Sequence, residues 1–243
     1  MKLTVLGNQG PFPGPGGATS GYLLQEGDWS LLLDVGSGVL SRLLQEISLA
    51  DLKAVLISHW HDDHVADLGV LAYAVQVERS MGRFGPDPLP VYGPPDAEGE
   101  RRLKGLEAFL TYEPVPRALG PFTLETAPTV HARPGYSYRI SSSTGTLCYS
   151  GDTGWQEDLI ALAKGAGLFL AEASFLEPEK PGEGPGHLTG LQAGEMAAAA
   201  GVKELLLTHF YPFFDPSRLV QQAAQVFPRV QAARRGVAYD VGR

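Results

Sequence analysis

Short apolar blocks bounded by glycine or polar residues alternate along this chain with longer blocks of helical periodicity. The short blocks are typical of buried strands, and apolar residues spaced by three and four positions are typical of helices. The predicted strands are Leu3–Leu6, Ser20–Leu24, Ser30–Asp34, Ala54–Ile57, Pro114–Thr129, Gly135–Ile140, Thr146–Tyr149 and Lys203–Leu207. The predicted helices are Val39–Glu46, Val65–Arg79, Trp155–Lys164, 190–200 and Pro216–Val226.

The helix predicted over 190–200 has the clearest boundaries. Thr189 and Gln192 have the spacing of a capping box, in which the two side chains satisfy backbone N–H groups at the start of a helix. An alanine-rich run follows, and Gly201 stands where a helix commonly ends in a glycine.

Two glycine- and proline-rich segments interrupt the alternation of strands and helices. In residues 8–18, the glycines indicate either a backbone that passes close to another group or an ordinary loop. The proline-rich residues 82–99 predict a loop between helices. Neither an internal repeat nor a linker is evident, so we expect one domain over 1–243, with helices on both outer faces of a mixed structure.

Composition narrows the class of protein. With 44% hydrophobic and 19% charged residues the chain is typical of a globular protein. Its net charge of −8 argues against broad, non-specific binding of nucleic acid, although a local basic patch stays open. Cys148 is the sole cysteine and lies in a strand-like run, which predicts a buried thiol. Without a signal-peptide pattern or a membrane-length apolar run, we expect a cytoplasmic protein with no membrane partner.

The most informative motif follows the predicted strand Ala54–Ile57. Its residues are His59, Trp60, His61, Asp62, Asp63 and His64. In an extended segment His59 and His61 point to the same side, whereas Asp63 and His64 follow where the chain turns towards a helix. Crowding imidazoles and carboxylates is unfavourable unless a cation compensates them. The spacing therefore predicts two metal ions, each bound by one part of the motif.

The other three histidines and one aspartate have related positions. His209 ends an apolar strand, Asp152 follows the predicted strand Thr146–Tyr149, and His131 follows a strand-like stretch. Each alone is ordinary, but side chains at strand ends can meet at one edge of a sheet. Together with the first motif they predict a single site, near which His187 precedes the helix 190–200.

Six segments, in this order, resemble the metallo-β-lactamase superfamily, and within it the ribonuclease Z-like phosphodiesterase branch. They are His59–His64, His131 ahead of Gly135–Tyr138, Ser150–Thr153, Ala171–Phe175, Gly186–Thr189 and Leu207–Phe210. The resemblance implies an α/β fold of the metallo-β-lactamase type, a four-layer αββα sandwich. It also implies a metal centre at one edge of its two sheets.

The resemblance further implies how the metal ligands are divided. The first ion is expected on His59, His61 and His131, the second on Asp63, His64 and His209, with Asp152 bridging both. Nitrogen and oxygen donors without a thiolate suit Zn²⁺, and also Mn²⁺ or Fe²⁺.

The expected chemistry is hydrolysis. A water bridging the two ions is the expected nucleophile. His187 resembles the histidine that contacts phosphate in this branch and protonates the departing oxygen, so His187, Asp63 and Asp152 are the predicted catalytic residues. Glu172 matches an acidic position of the branch. It either orients His187 or a metal ligand, or forms a structural ion pair.

These observations favour a binuclear zinc-dependent phosphodiesterase with a small or flexible substrate. Hydrolysis of a carboxylic ester, thioester or lactone is the alternative, although such chemistry does not require His187. Transfer RNA 3′-processing is less favoured, because the net charge is acidic, residues 7–11 depart from the usual opening motif and no long protruding arm is evident. A non-catalytic metal-binding module is disfavoured by the full set of seven ligands. A homodimer is expected only from its general frequency among enzymes.

Overall fold

The computed structural model describes residues 1–177 and 186–242. In chain order the strands are β1 (Lys2–Gly7), β2 (Gly21–Glu26), β3 (Trp29–Leu33), β4 (Leu52–Leu56), β5 (Leu89–Tyr92), β6 (Leu110–Glu113), β7 (Ala118–Leu119), β8 (Phe122–Pro128), β9 (Tyr136–Ser141), β10 (Thr146–Tyr149), β11 (Leu168–Glu172), β12 (Glu204–Thr208), β13 (Val230–Ala232) and β14 (Ala238–Asp240). The helices are α1 (Val39–Glu46), α2 (Asp62–Val65), α3 (Leu68–Ser80), α4 (Ala97–Leu103), α5 (Glu157–Ala163), α6 (Gly190–Ala200) and α7 (Pro216–Ala224).

The strands form two seven-stranded mixed sheets. The first has the order β14-β1-β2-β3-β4-β5-β6, antiparallel from β14 to β3 and parallel from β3 to β6. The second has the order β13-β12-β11-β10-β9-β8-β7, antiparallel from β7 to β10 and parallel from β10 to β13. The parallel strands are almost continuously apolar because both of their faces are covered.

Alternating side chains divide the apolar residues among three cores. In β3, Leu31 and Leu33 face the second sheet, whereas Leu32 faces helices α1 and α3. In β11, Leu168 and Leu170 face the first sheet, whereas Phe169 packs beneath α5, α6 and α7. Each fully buried leucine contributes about 2 kcal/mol. The result is helix, sheet, sheet, helix, which confirms the four-layer αββα sandwich.

Helix α6 confirms the sequence prediction at both ends. The Thr189 hydroxyl accepts from the N–H of Gln192 at 3.1 Å, and the Gln192 side chain accepts from the N–H of Thr189 at 3.1 Å. Gly201 ends the helix in the left-handed region. No helix in the described part of the chain is both long enough and apolar enough to cross a membrane.

The prediction of a loop over residues 82–99 is wrong. This segment contains β5, inside the first sheet between β4 and β6, and it reaches the start of α4. Proline usually argues against an inner strand because it lacks an N–H group. Pro90 is accommodated here because pairing with β4 begins only at Val91.

Two predicted elements are interrupted in the structure. The strand over Pro114–Thr129 is the hairpin of β7 and β8, turned at Gly120, whose φ of +57° favours glycine. The helix over Val65–Arg79 is divided into α2 and α3 by Asp67, whose N–H donates to the carbonyl of Val35 at 3.0 Å. Strand β11 was not predicted, although all five of its residues are buried.

Candidate metal centre

Ends of strands from both sheets converge at one edge of the sandwich. The motif His59–His64 follows β4 of the first sheet, whereas Asp152 and His209 follow β10 and β12 of the second. His131 lies on the loop after β8. The rigid, buried strands therefore bring chemically active side chains from distant parts of the chain to a common place.

One group of side chains consists of three histidines, His59, His61 and His131. The Nδ1 of His61 lies 2.9 Å from the Nε2 of His59 and 3.1 Å from the Nε2 of His131. Burial lowers the pKa of all three, and the neighbouring imidazoles lower it further. The three rings are therefore neutral and can offer nitrogen lone pairs to a cation.

A second group consists of Asp63, His64, Asp152 and His209. The Nε2 of His209 lies 3.1 Å from a carboxylate oxygen of Asp63 and 3.2 Å from one of Asp152. The same oxygen of Asp152 lies 3.7 Å from the Nε2 of His59, which belongs to the first group. The carboxylate of Asp152 is thus placed between the two groups.

The residues of the second group fit a cation on two grounds. The buried Nε2 of His64 lies 3.3 Å from Asp152 and 3.6 Å from Asp63, yet it forms no hydrogen bond with any described residue. Although burial raises the pKa of Asp152, the imidazoles of His209, His64 and His59 hold it well below its usual range, so that a buried negative charge remains. A divalent cation would satisfy both the orphaned nitrogen and the carboxylates.

Asp34 orients the ring of His64 through a hydrogen bond to its Nδ1. Its buried carboxylate accepts from the Nδ1 of His64 at 2.7 Å and from the hydroxyl groups of Ser58 and Tyr149 at 2.8 and 2.6 Å. The Nδ1 proton leaves the Nε2 of His64 free to act as a ligand. Asp34 was predicted only as a strand residue. A lone aspartate ending the apolar run of β3 was the available signal.

Glu172 acts on two histidines. Its buried carboxylate accepts from the Nδ1 of His187 at 2.8 Å and from the hydroxyl of Ser174 at 2.9 Å. The Ser174 oxygen in turn lies 2.9 Å from the Nδ1 of His209. Burial alone would lower the pKa of His187, but the Glu172 carboxylate raises it to about 9. The Glu172 carboxylate therefore favours the protonated form of His187, which lies beside both groups of side chains.

The backbone of the glycine-rich loop 8–18 passes close to the ring of His209. This is one of the two possibilities that the sequence left open. A Cβ at Gly10 would overlap the ring of His209. The N–H of Gly10 donates to the carbonyl of Phe210 at 3.1 Å, and that of Phe210 donates to Asn8 at 2.8 Å. The loop therefore lies directly against His209 and supports it.

The two remaining residues of the motif have structural contacts. Trp60 is buried, and its indole N–H donates to the carbonyl of Pro94 at 3.0 Å. Asp62 is exposed and pairs with Arg102 at 2.5 Å. The structure therefore gathers all seven predicted ligands together with His187 and Glu172, and it directs Trp60 and Asp62 away from them.

Comparison with known proteins identifies the family. The protein-family model described as the beta-lactamase superfamily domain matches residues 30–210. The probable metallo-hydrolase YhfI of Bacillus subtilis is 40% identical over 245 residues, covering 99% of this chain and 100% of that protein. The crystal structure of YhfI has a TM-score of 0.92 and 37% identity, with 98% of each chain covered.

A second relative is more distant. A ribonuclease Z of Mycolicibacterium gilvum is 30% identical over 253 residues, covering 90% of this chain and 87% of that protein. The chain belongs to the metallo-β-lactamase superfamily, and it is a metal-dependent hydrolase.

Proposed function

We propose that this protein is a binuclear phosphodiesterase that acts on a small or flexible substrate. The observation that carries the proposal is the arrangement of two donor groups around Asp152, with the His187–Glu172 pair beside them. Two-metal hydrolases of phosphate esters have ions about 3.5–4 Å apart, which requires donor groups this close together.

The proposed ligands follow the two groups. His59, His61 and His131 would hold the first ion, Asp63, His64 and His209 would hold the second, and Asp152 would contact both. The donors are nitrogen and oxygen atoms, and the sole thiol, Cys148, is buried in the core under the outer helices. Such a set suits Zn²⁺ best, with Mn²⁺ or Fe²⁺ as substitutes.

When bound, two divalent ions supply an activated water and positive charge that stabilises the phosphoryl oxygens. Side chains of the protein itself orient the proposed ligands and supply the proton for the departing oxygen. Asp34 fixes the ring of His64, and Ser174 fixes that of His209. Because Glu172 binds the Nδ1 of His187, the Nε2 is the nitrogen that can deliver a proton to the departing oxygen.

Other reactions use similar ligands. Carboxylic esters, thioesters and lactones can be hydrolysed at the same metal pair, but a protonated His187 matters most where a poor alkoxide leaves from phosphorus. The relative named ribonuclease Z supports phosphodiester chemistry. A transfer RNA substrate is less favoured because the net charge is −8 and residues 82–99 contribute a strand to the sheet.

The test is hydrolysis of bis(p-nitrophenyl) phosphate by the zinc- or manganese-loaded protein. We expect metal-dependent turnover that is lost in Asp152→Ala. Turnover should persist in Asp62→Asn, a matched control that removes an exposed carboxylate from the same motif. A fully metallated protein that cleaves thioesters or lactones but not phosphodiesters would contradict the proposal. Efficient cleavage of a precursor transfer RNA at its 3′ trailer would contradict the proposal that the substrate is small or flexible.

A further inference from the structure

A cavity of about 390 Å³ opens beside His187 and His209. Three aromatic side chains, Phe175, Tyr211 and Phe214, form much of its wall. Among the described residues that line it there is no lysine, arginine, aspartate or glutamate. The cavity is therefore an apolar space in direct contact with histidines of the metal centre.

The aromatic wall is only partly covered by the protein itself. Phe175, Tyr211 and Phe214 are each half-buried, so part of each ring is left facing open space. The Phe175 ring lies 5.9 Å from that of His187 at an interplanar angle of 70°, and the Tyr211 ring lies 4.9 Å from that of Phe214 at 58°. Rings inclined in this way present both edges and faces to a further ring.

The dimensions of the cavity suit a ring system. A dry apolar cavity of about 150 Å³ accommodates benzene in another protein. The larger volume here has room for a single ring or a fused pair, together with its link to phosphorus. Apart from the two histidines, the described residues of the lining carry no formal charge. A charged substituent among the aromatic rings would therefore lose its hydration without gaining an ion-pair partner there.

We propose that this cavity binds an uncharged aromatic ring carried by the departing alcohol of the substrate. The assignment of the ring to that alcohol rests on the proposed function. His187 is proposed to protonate the departing oxygen, and it also forms part of the cavity wall. The group attached to that oxygen therefore enters the cavity.

Binding of phosphonates to the zinc-loaded protein tests the cavity without any turnover. We expect benzylphosphonate to bind about tenfold or more tightly than ethylphosphonate in calorimetric titrations, because the ring buries apolar surface. It should also bind more tightly than cyclohexylmethylphosphonate, because the wall is aromatic. Equal affinity of benzylphosphonate and either of the other two ligands would overturn the proposal.

Variants of neighbouring phenylalanines provide the control. Phe214→Ala should remove the preference for benzylphosphonate, and Phe214→Leu, which keeps an apolar side chain of similar size, should weaken it. Phe213→Ala should preserve the preference, since Phe213 is 68% exposed and does not line the cavity. A preference that survives both changes at Phe214 would overturn the proposal.

Turnover measurements distinguish a failure of this inference from a failure of the proposed function. Relative to the native protein, Phe214→Ala should lower kcat/KM more for dibenzyl phosphate than for diethyl phosphate, whose alcohols have similar acidities. Selective phosphonate binding without hydrolysis of any phosphodiester would contradict the proposed function and leave the ring-binding cavity in place. Hydrolysis of both diesters at equal efficiency, with no selective binding, would contradict binding of a ring in the cavity but not the proposed function.

Discussion

At the scale of single residues, the candidate metal centre contains residues whose backbone is held in an unusual conformation. His209 has a φ of +59° and Asp34 a φ of +56°, the two described residues other than glycine with positive φ. Each such conformation costs of order 1 kcal/mol or more and persists only where surrounding contacts enforce it. Here one residue is a proposed ligand and the other orients a proposed ligand. The unfavourable backbone geometry is therefore concentrated at the site.

Gly10→Ala tests how closely the neighbouring loop supports His209. Because the new methyl group would overlap the His209 ring, the ring must move, and we expect zinc affinity to fall about 10- to 100-fold. Competition with a chromogenic chelator would measure the change. Gly85→Ala is the control, since its methyl group would meet no atom within 4 Å. Unchanged zinc affinity in Gly10→Ala would show that the loop does not position His209.

At the scale of secondary-structure elements, two helical glycines should respond to alanine in opposite directions. Gly69 in α3 is exposed with free space around it, so Gly69→Ala should stabilise the fold by about 0.5 kcal/mol through lower entropy of the unfolded chain. In α6, a Cβ at Gly194 would lie 2.7 Å from the carbonyl oxygen of Ala223 in α7, so Gly194→Ala should destabilise it. Urea denaturation of both variants measures these shifts, and two shifts of the same sign would contradict the packing of α6 on α7.

Helix α4 contacts the motif His59–His64 through a surface ion-pair network with a defined pH dependence. Hydrogen bonds from Arg101 and Arg102 lower the pKa of Glu98 to about 2, and Arg102 also binds Asp62. A carboxyl group with a lowered pKa stabilises the folded state above its ordinary pKa, and this contribution is lost as the pH falls towards 2.

The melting temperature of Glu98→Gln should accordingly lie slightly below that of the native protein at pH 7, because the pairs lie at the surface. The difference should shrink below about pH 4 as Glu98 takes up a proton in the unfolded chain. A difference that is constant from pH 7 to pH 3 would show that the network does not depend on the charge of Glu98.

Several elements could be predicted from local sequence because local interactions define them. Helix α6 carries its own capping box and terminal glycine, and α1 has the predicted bounds Val39–Glu46. Strand β5 could not be predicted, because the prolines around it indicate a loop and only pairing with β4 and β6 makes it a strand. The break between α2 and α3 has a similar origin, a tertiary hydrogen bond of Asp67.

At the scale of the whole molecule, the site exists only when the two sheets are assembled. The first sheet supplies the motif that follows β4, and the second supplies Asp152 and His209. That the seven proposed ligands lie together was predictable because they follow apolar strands and four of them lie in one motif. The cavity was not predictable, because Gly10, Phe175 and Phe214 are far apart in sequence and meet only in the folded chain.

The role of His187 is tested by measuring bound zinc and turnover in the same preparations of the native protein and His187→Ala. We expect two zinc ions per chain in both proteins. Turnover of dibenzyl phosphate should fall by about 10²- to 10⁴-fold in the variant, as expected for loss of a general acid. Turnover of bis(p-nitrophenyl) phosphate should fall much less, because p-nitrophenolate departs without a proton. Loss of zinc from the variant, or an equal decrease in turnover for both substrates, would show that His187 is not the general acid.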